Sequence, residues 1–323
     1  MSKTIIENGK KKNAFKKLFK YQNLGDSIFH NLTLLFAVSV FILVVLMAYE
    51  MYNSSKLSID KFGWSFLYNS TWDPVQEIYG ALPMIYGTLV SSLAALLITL
   101  PLSIGVAVFL SELAPRWLEK PLSFLVELLA GIPSIVYGLW GIFVLVPFIR
   151  EVIEPFLSEN FGFLPIFEGA PYGFGMLAAI LILSIMVLPI ISSISRDILK
   201  SVPQSQREAA LALGATKWQS TRIVLKTAKS GILGATMLGL GRAVGETMAV
   251  TMVIGNRALI SSSIFDPAYT MASVIANEFT EATSDMYLSA LVELALVLFV
   301  ITILINGLAR LLVWSTERKW KTA

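Results

Sequence analysis

The chain has 323 residues, 55% of them hydrophobic and only 15% charged, with a formal net charge of +3 and a mean hydropathy of +0.71. Soluble domains carry about a quarter charged residues, so this balance excludes an ordinary soluble protein and points to a membrane protein. Cysteine is absent, which rules out disulfides, thiolate metal ligation and thiol catalysis, and the single histidine, His30, has no second histidine to share a metal with.

Residues 1–28 carry seven lysines (Lys3, Lys10, Lys11, Lys12, Lys16, Lys17 and Lys20) against Glu7 and Asp26. Charge alone would suit nucleic acid. An apolar run follows at once, however, so the arm reads as a cytoplasmic segment facing membrane lipid, with no nucleic-acid partner. That run, Phe29–Ala48, is too long for a signal-peptide core and lacks a small-residue cleavage site, so a retained anchor is expected. Five more apolar runs follow: Leu82–Leu110, Leu122–Phe148, Phe174–Ile194, Ile232–Ile254 and Leu288–Trp314. Several contain proline (Pro101, Pro133, Pro147, Pro189), so tilted or kinked helices are expected. The expectation is an all-α integral membrane protein of six transmembrane helices. It comprises the basic arm 1–28, a first helix with a long external loop (29–81), a five-helix core (82–314) containing a cytoplasmic loop (195–231), and a tail (315–323).

Charge placement sets the orientation. The N-terminal arm, Ser111–Pro121, Ser195–Gly231 and the end from Ala309 hold all but five of the 25 Lys and Arg. The other three loops hold Lys56, Lys61, Arg150 and Arg257 among many acidic residues, and Arg242 is the last. The positive-inside rule then places both termini in the cytoplasm. The external loop Tyr49–Ala81 carries Tyr52, Trp64, Tyr68, Trp72 and Tyr79. An interfacial aromatic belt accounts for them, with docking of an outside partner as the alternative. Glu127 and Glu293 lie about six residues from span ends and are expected to reach the interface.

Ser195–Gly231 reads as a built object. Ser201-Val-Pro-Gln204 opens a helix expected to run to about Leu213, where Gly214 can end it in a left-handed conformation. Thr216-Lys-Trp-Gln219 is a second capping box, opening a helix expected to reach about Ser230. Within this hairpin Glu208-Ala209-Ala210, Gly214 and Ile223-x-Leu225 stand at the spacing of the EAA loop of ABC-importer permeases, which the segment resembles. Lys226 departs from that pattern, where the family usually has proline. The resemblance implies that the short helix docks on a separate ATPase. No Gly-x-x-x-x-Gly-Lys-Ser/Thr run occurs in the chain, so no nucleotide site of its own is expected.

Gly239–Val250 puts charge inside an apolar run. As one straight helix the run Ile232–Ile254 would carry Arg242 about 15 Å deep. An Arg there costs about 3 kcal/mol on insertion scales. Glu246 follows at i+4, within pairing reach on one face, and Gly241 and Gly245 form a Gly-x-x-x-Gly step suited to close helix packing. Arg242 offers a planar cation suited to an oxyanion, whereas a self-neutralising Arg–Glu pair that locks helices is the plain alternative. Gly131-Ile-Pro-Ser-Ile-Val-Tyr-Gly138 breaks the third run at Pro133 and brings the hydroxyls of Ser134 and Tyr137; Thr247 adds another beside Glu246. A simple kink with Ser134 bonded to its own backbone explains the first equally well.

Together the two motifs resemble the PstC-type permease family of bacterial phosphate importers, over nearly the whole chain. The resemblance implies a type I ABC importer permease fold in the plasma membrane, with Arg242 and Glu246 critical for phosphate passage. It also implies a second, homologous permease (PstA-type), two copies of an ATPase (PstB-type) and an external phosphate-binding protein (PstS-type). A permease of the same design for sulfate or molybdate is the near alternative, and a motor-independent channel or secondary transporter the more distant one. No metal, cofactor or catalytic residue is expected, since no metal cluster or nucleophile–base set is visible.

Overall fold

The computed structural model describes residues 24–321, so most of the lysine-rich arm lies outside the described residues. Two units divide the chain, 1–53 and 54–323. The first is described by helix α1 (Leu24–Ser54), which contains the expected anchor and is long enough to cross a bilayer.

The second unit is helical throughout its ordered elements. Short helices α2 (Lys56–Phe62) and α3 (Ser65–Tyr68) lead to α4 (Leu82–Leu113). Next come α5 (Arg116–Ala130) and α6 (Ser134–Phe161), then α7 (Met176–Ser201), α8 (Gln204–Ala212) and α9 (Lys217–Val244). The chain closes with α10 (Met248–Val253), α11 (Met271–Glu278) and α12 (Asp285–Lys321). Helices α1, α4, α6, α7, α9 and α12 are each long and apolar enough to span a membrane, which makes six among the described residues.

Helix α7 forms the centre of this unit, with Ala179, Ile182, Leu183, Val187 and Ile191 buried. Small hydroxyl residues fasten α4 to it. Thr99 Oγ1 donates to the Ser184 carbonyl at 3.2 Å, Ser103 Oγ to the Leu188 carbonyl at 3.1 Å, and Ser184 Oγ to the Ala95 carbonyl at 3.4 Å. Hydroxyls of this kind let apolar helices hold a fixed register where lipid offers no competing hydrophobic drive.

Two element boundaries differ from the sequence expectation. The run Leu122–Phe148 is not one span. Gly131-Ile-Pro133 ends α5, an amphipathic helix, and the spanning helix is α6, which runs on to Phe161. Proline at 133 cannot donate to the ladder and disfavours helical backbone at Ile132, so the break falls there. The run Ile232–Ile254 is divided as well: α9 stops at Val244, and α10 begins at Met248.

The expected aromatic belt is partly a buried cluster. Tyr79 is fully buried, stacked on Tyr287 at 5.6 Å and edge-on to Trp72 at 4.9 Å. Trp72 Nε1 and Tyr287 Oη both donate to Glu278 Oε2, at 2.8 and 2.7 Å. Burial first, and the Glu77, Glu278 and Asp73 carboxylates next, push the Tyr79 phenol up to about 12. Trp64 and Tyr68 are exposed, as a belt requires. Glu293 does not reach an interface: it is 6% exposed and its Oε2 has no hydrogen-bond partner. Helix α2 covers that part of α12, joined by Ser58 N–H donating to Ser289 Oγ at 3.1 Å. Glu127 instead accepts from Arg196 Nη2 at 2.8 Å.

Candidate translocation site and coupling loop

Helix α9 is 28 residues long, about 42 Å at 1.5 Å per residue, and joins the polar loop to the apolar interior without interruption. It passes α7 closely at Gly239, where an added Cβ would stand 2.6 Å from Ile191 and 2.8 Å from Val187. Gly241 has only the Asn306 side chain near its Cβ position, at 3.6 Å, and Gly245 faces only its own helix. Among the described residues, therefore, the close approaches of α9 to α7 fall at Gly239 and at Gly231, where a Cβ would stand 2.7 Å from Ile198, both outside the Gly-x-x-x-Gly step.

Arg242 lies in the last turn of α9. The helix dipole favours a cation there by about 0.3–1 kcal/mol. The helix ends two residues later, and Gly245, Glu246 and Thr247 are non-helical. The expected pairing of Arg242 with Glu246 along one helical face is therefore absent: the turn that would align them does not exist. Among the described residues neither side chain forms an ion pair or hydrogen bond. Arg242 is exposed and Glu246 only 8% exposed. Thr247 Oγ1 donates to the Gly245 carbonyl at 3.3 Å, while the Thr247 carbonyl accepts from Thr251 Oγ1 at 2.7 Å. Non-helical backbone at membrane depth is tolerated where it is enclosed by protein or lines a polar cavity.

The other broken segment meets this one. Pro133 stands at the N-cap of α6 in extended conformation, with half-buried Ser134 as its first helical residue. Tyr137 donates its hydroxyl to the Leu129 carbonyl at 2.9 Å, satisfying one of the last carbonyls of α5. Helix α6 then lies directly on α10: a Cβ at Gly138 would fall 3.1 Å from Ala249 Cα, and one at Gly141 2.8 Å from Val253 Cγ1. Helices α6 and α10, each of which begins at a break, thus pack together although their residues stand more than a hundred positions apart.

The loop between α7 and α9 carries the second set of expected residues. Its second capping box is formed in both directions: Gln219 N–H donates to Thr216 Oγ1 at 3.3 Å, and Thr216 N–H to Gln219 Oε1 at 2.7 Å. Gly214 adopts φ +83° at the end of α8, the left-handed conformation that glycine supplies without strain. The first cap differs. Pro203 occupies the cap position of α8, and Ser201 Oγ donates backwards to the Ile198 carbonyl at 2.7 Å. The second helix does not stop at Ser230 but continues as the membrane span. Lys226, unlike a proline, has a backbone N–H to give to the ladder at that point. Ile223 is exposed within α9, while Leu225 packs against a cluster of Ala107, Val108, Leu199 and Val224.

Helix α8 has two faces. Glu208, Ala209 and Ala212 are exposed on one, and Gln206, Arg207 and Ala210 turn towards the bundle. Arg207 was not singled out by sequence reasoning. Its Nε and Nη2 donate to the two oxygens of Glu112 at 3.0 and 2.7 Å, closing a bidentate pair. Hydrogen bonding to Glu112 also raises the Arg207 pKa above its usual value. Two further pairs, Arg196–Glu127 and Lys200–Glu119, fasten α7 to α5. No local pattern links partners this far apart in sequence.

A bundle of spanning helices with a charged break inside it and a capped helical hairpin at one end defines a membrane transport permease. The chain belongs to the family of binding-protein-dependent transport system inner membrane components, whose model matches residues 100–317. It is therefore a multi-pass inner-membrane protein. It is 49% identical over 301 residues to the phosphate transport system permease protein PstC of Mesorhizobium japonicum, covering 92% of each chain. To the protein of the same name from Haemophilus influenzae it is 48% identical over 298 residues, covering 91% of this chain and 94% of that one. In fold it resembles the alginate ABC transporter structure solved with an alginate-bound periplasmic protein, with TM-score 0.59 at 17% identity over 90% of this chain and 96% of that one. The inward-facing MetNI methionine ABC transporter gives TM-score 0.57 at 18% identity, over 76% and 99%.

Proposed function

We infer that this chain is the phosphate-translocating permease subunit of an ATP-driven importer. The observation that carries the reading is the near-half identity, over 92% of the chain, to permeases named for phosphate transport. Both termini and the α7–α9 loop face the cytoplasm in this reading, on the strength of the lysine and arginine distribution.

Arg242 supplies the fixed cation for the anion, and the helix end leaves its donors uncommitted within the chain. Glu246, unpaired and mostly enclosed, accepts a hydrogen bond from a protonated phosphate oxygen. Sulfate near neutral pH has no proton to give and is repelled, so one carboxylate supplies both attraction and rejection. Ser134 stands at the rim of one break as a further donor, Thr247 at the other can turn its hydroxyl from the Gly245 carbonyl to the anion, and the Tyr137 hydroxyl supports the α5 end. Gly241 and Gly245 leave their side of α9 open for the second permease. Glu208 and Ala209 lie on the outer face of the helix that docks on the ATPase, Ala210 seats that helix on the bundle, Gly214 ends it, and ATP hydrolysis belongs to that partner.

Proteoliposomes containing the two permeases and the ATPase, supplied with the binding protein, test this. ATP-dependent uptake of labelled phosphate that an excess of sulfate leaves unchanged is expected. Uptake without ATP, or sulfate uptake at an equal rate, would overturn the reading.

A further inference from the structure

Glu112 lies in a five-residue π-helical turn, Phe109–Leu113, at the end of α4. Such turns displace side chains from regular helical register and recur at functional positions. Opposite it stands the Arg207 guanidinium, which makes four hydrogen bonds. Two go to the Glu112 carboxylate; the others run from Nη1 to the Val202 carbonyl at 2.6 Å and from Nη2 to the Leu199 carbonyl at 2.8 Å. Leu199 lies in the last turn of α7 and Val202 just beyond it, and the Leu199 carbonyl also accepts from the Val202 N–H at 3.3 Å. One planar cation therefore holds the end of α4, the end of α7 and the body of α8. Its side chain is 13% exposed and that of Glu112 9%, so water competes little for these bonds.

We propose that Arg207 is the positioning residue that delivers movement of helix α8 to the membrane spans. The clamp rests on the coupling role given to α8 above. Glu208, Ala209 and Ala212 face outwards, away from the clamp, so a partner held on that face leaves Arg207 engaged. A bidentate fork fixes orientation as well as distance, so a tilt of α8 turns Glu112 and the α7 end with it. From α7 the displacement passes to α9 at Gly239, where Val187 and Ile191 leave no slack, and Arg242 lies one helical turn further on. A second tie, Thr227 Oγ1 donating to Gln206 Oε1 at 3.1 Å, joins α8 to α9 near its start.

The test uses the complete importer in proteoliposomes, with copurified ATPase, ATP hydrolysis and phosphate uptake measured on the same preparation. Arg207→Gln and Glu112→Gln are expected to keep the ATPase bound and hydrolysis within about twofold, while uptake falls about tenfold, so more ATP is spent per phosphate. Arg207→Lys, which keeps the charge without the fork, is expected to fall between parent and Arg207→Gln. The exchanged pair Arg207→Glu with Glu112→Arg is expected to recover part of the uptake. Uptake and hydrolysis falling in step, uptake unchanged, or loss of the ATPase in both single variants would each overturn the proposal. Glu112 lies outside the docking helix, so its variant separates a broken clamp from a damaged docking face. A parent complex that carries a different anion would defeat the phosphate reading alone, because the ratio of ATP used to anion carried still reports on the clamp.

Discussion

Arg242 closes helix α9 and Glu246 lies just beyond its end, so two opposite charges four residues apart do not pair. An unbroken helix would have set them on one face, where a buried pair can cancel itself. The break at Gly245–Thr247 leaves a cation and a carboxylate each free to meet a ligand.

Glu246→Gln keeps size and removes the acceptor-only character of the carboxylate. Phosphate uptake is expected to fall roughly tenfold, and inhibition by sulfate to rise from negligible to measurable, since about 1.4 kcal/mol corresponds to a factor of ten. Competition assays in proteoliposomes read both. Unchanged uptake with unchanged sulfate exclusion would remove Glu246 from selection.

The close approaches separate two kinds of strain. A methyl at Gly87 would meet the Tyr269 backbone carbonyl oxygen at 2.0 Å, whereas at Gly138 the nearest atom is the flexible Met252 sulfur at 2.4 Å. Both Gly→Ala changes are expected to lower stability, Gly138→Ala by about 1–3 kcal/mol and Gly87→Ala by more. Adding Met252→Ala should relieve only Gly138→Ala. Thermal unfolding of the detergent-solubilised protein distinguishes them.

Tyr79 is fully buried and its hydroxyl has no partner, so Tyr79→Phe is expected to be neutral or slightly stabilising at pH 7. Its phenol ionises at about 12 in the folded protein, against about 10 when unfolded. The folded state thus holds this proton more tightly, and the associated stability is whole below pH 10 and lost as pH rises through 12. Tyr79→Phe should flatten that part of the alkaline unfolding curve.

Gly214 has nothing within 4 Å of a built Cβ, so any cost of substitution there is backbone strain alone. Gly214→Asn, which tolerates φ +83°, should retain ATPase copurification, while Gly214→Leu should lose most of it. The difference expected from the left-handed region is about 1–2 kcal/mol. Equal binding by both variants would mean that the turn does not set the docking helix.

Short-range chemistry was legible in the sequence. The Thr216–Gln219 box, the Gly214 turn and the break at Pro133 depend on residues within a few positions of one another, and each stands where its residues place it. The end of α9 was not legible, because Gly245 lies in an apolar run and glycine within a helix costs only about 1 kcal/mol. Burial of Glu293 depends on α2 folding over α12, and the Arg207–Glu112 clamp joins residues 95 positions apart. Neither contact leaves a periodic trace. Of the candidate site residues, the types were legible in the sequence, whereas tertiary packing alone decides that α6 lies on α10.

In the proposed function phosphate crosses the membrane past Arg242. The most direct measurement of that passage is ATP-dependent uptake of labelled phosphate by proteoliposomes holding the complete importer, parent against Arg242→Gln, with subunit content checked in both. Full assembly and loss of nearly all uptake are expected in the variant, a fall of about a hundredfold or more for removal of the anion's charge-assisted hydrogen bonds. Parent-like uptake by Arg242→Gln would contradict that route, and so would loss of uptake that merely follows loss of assembly.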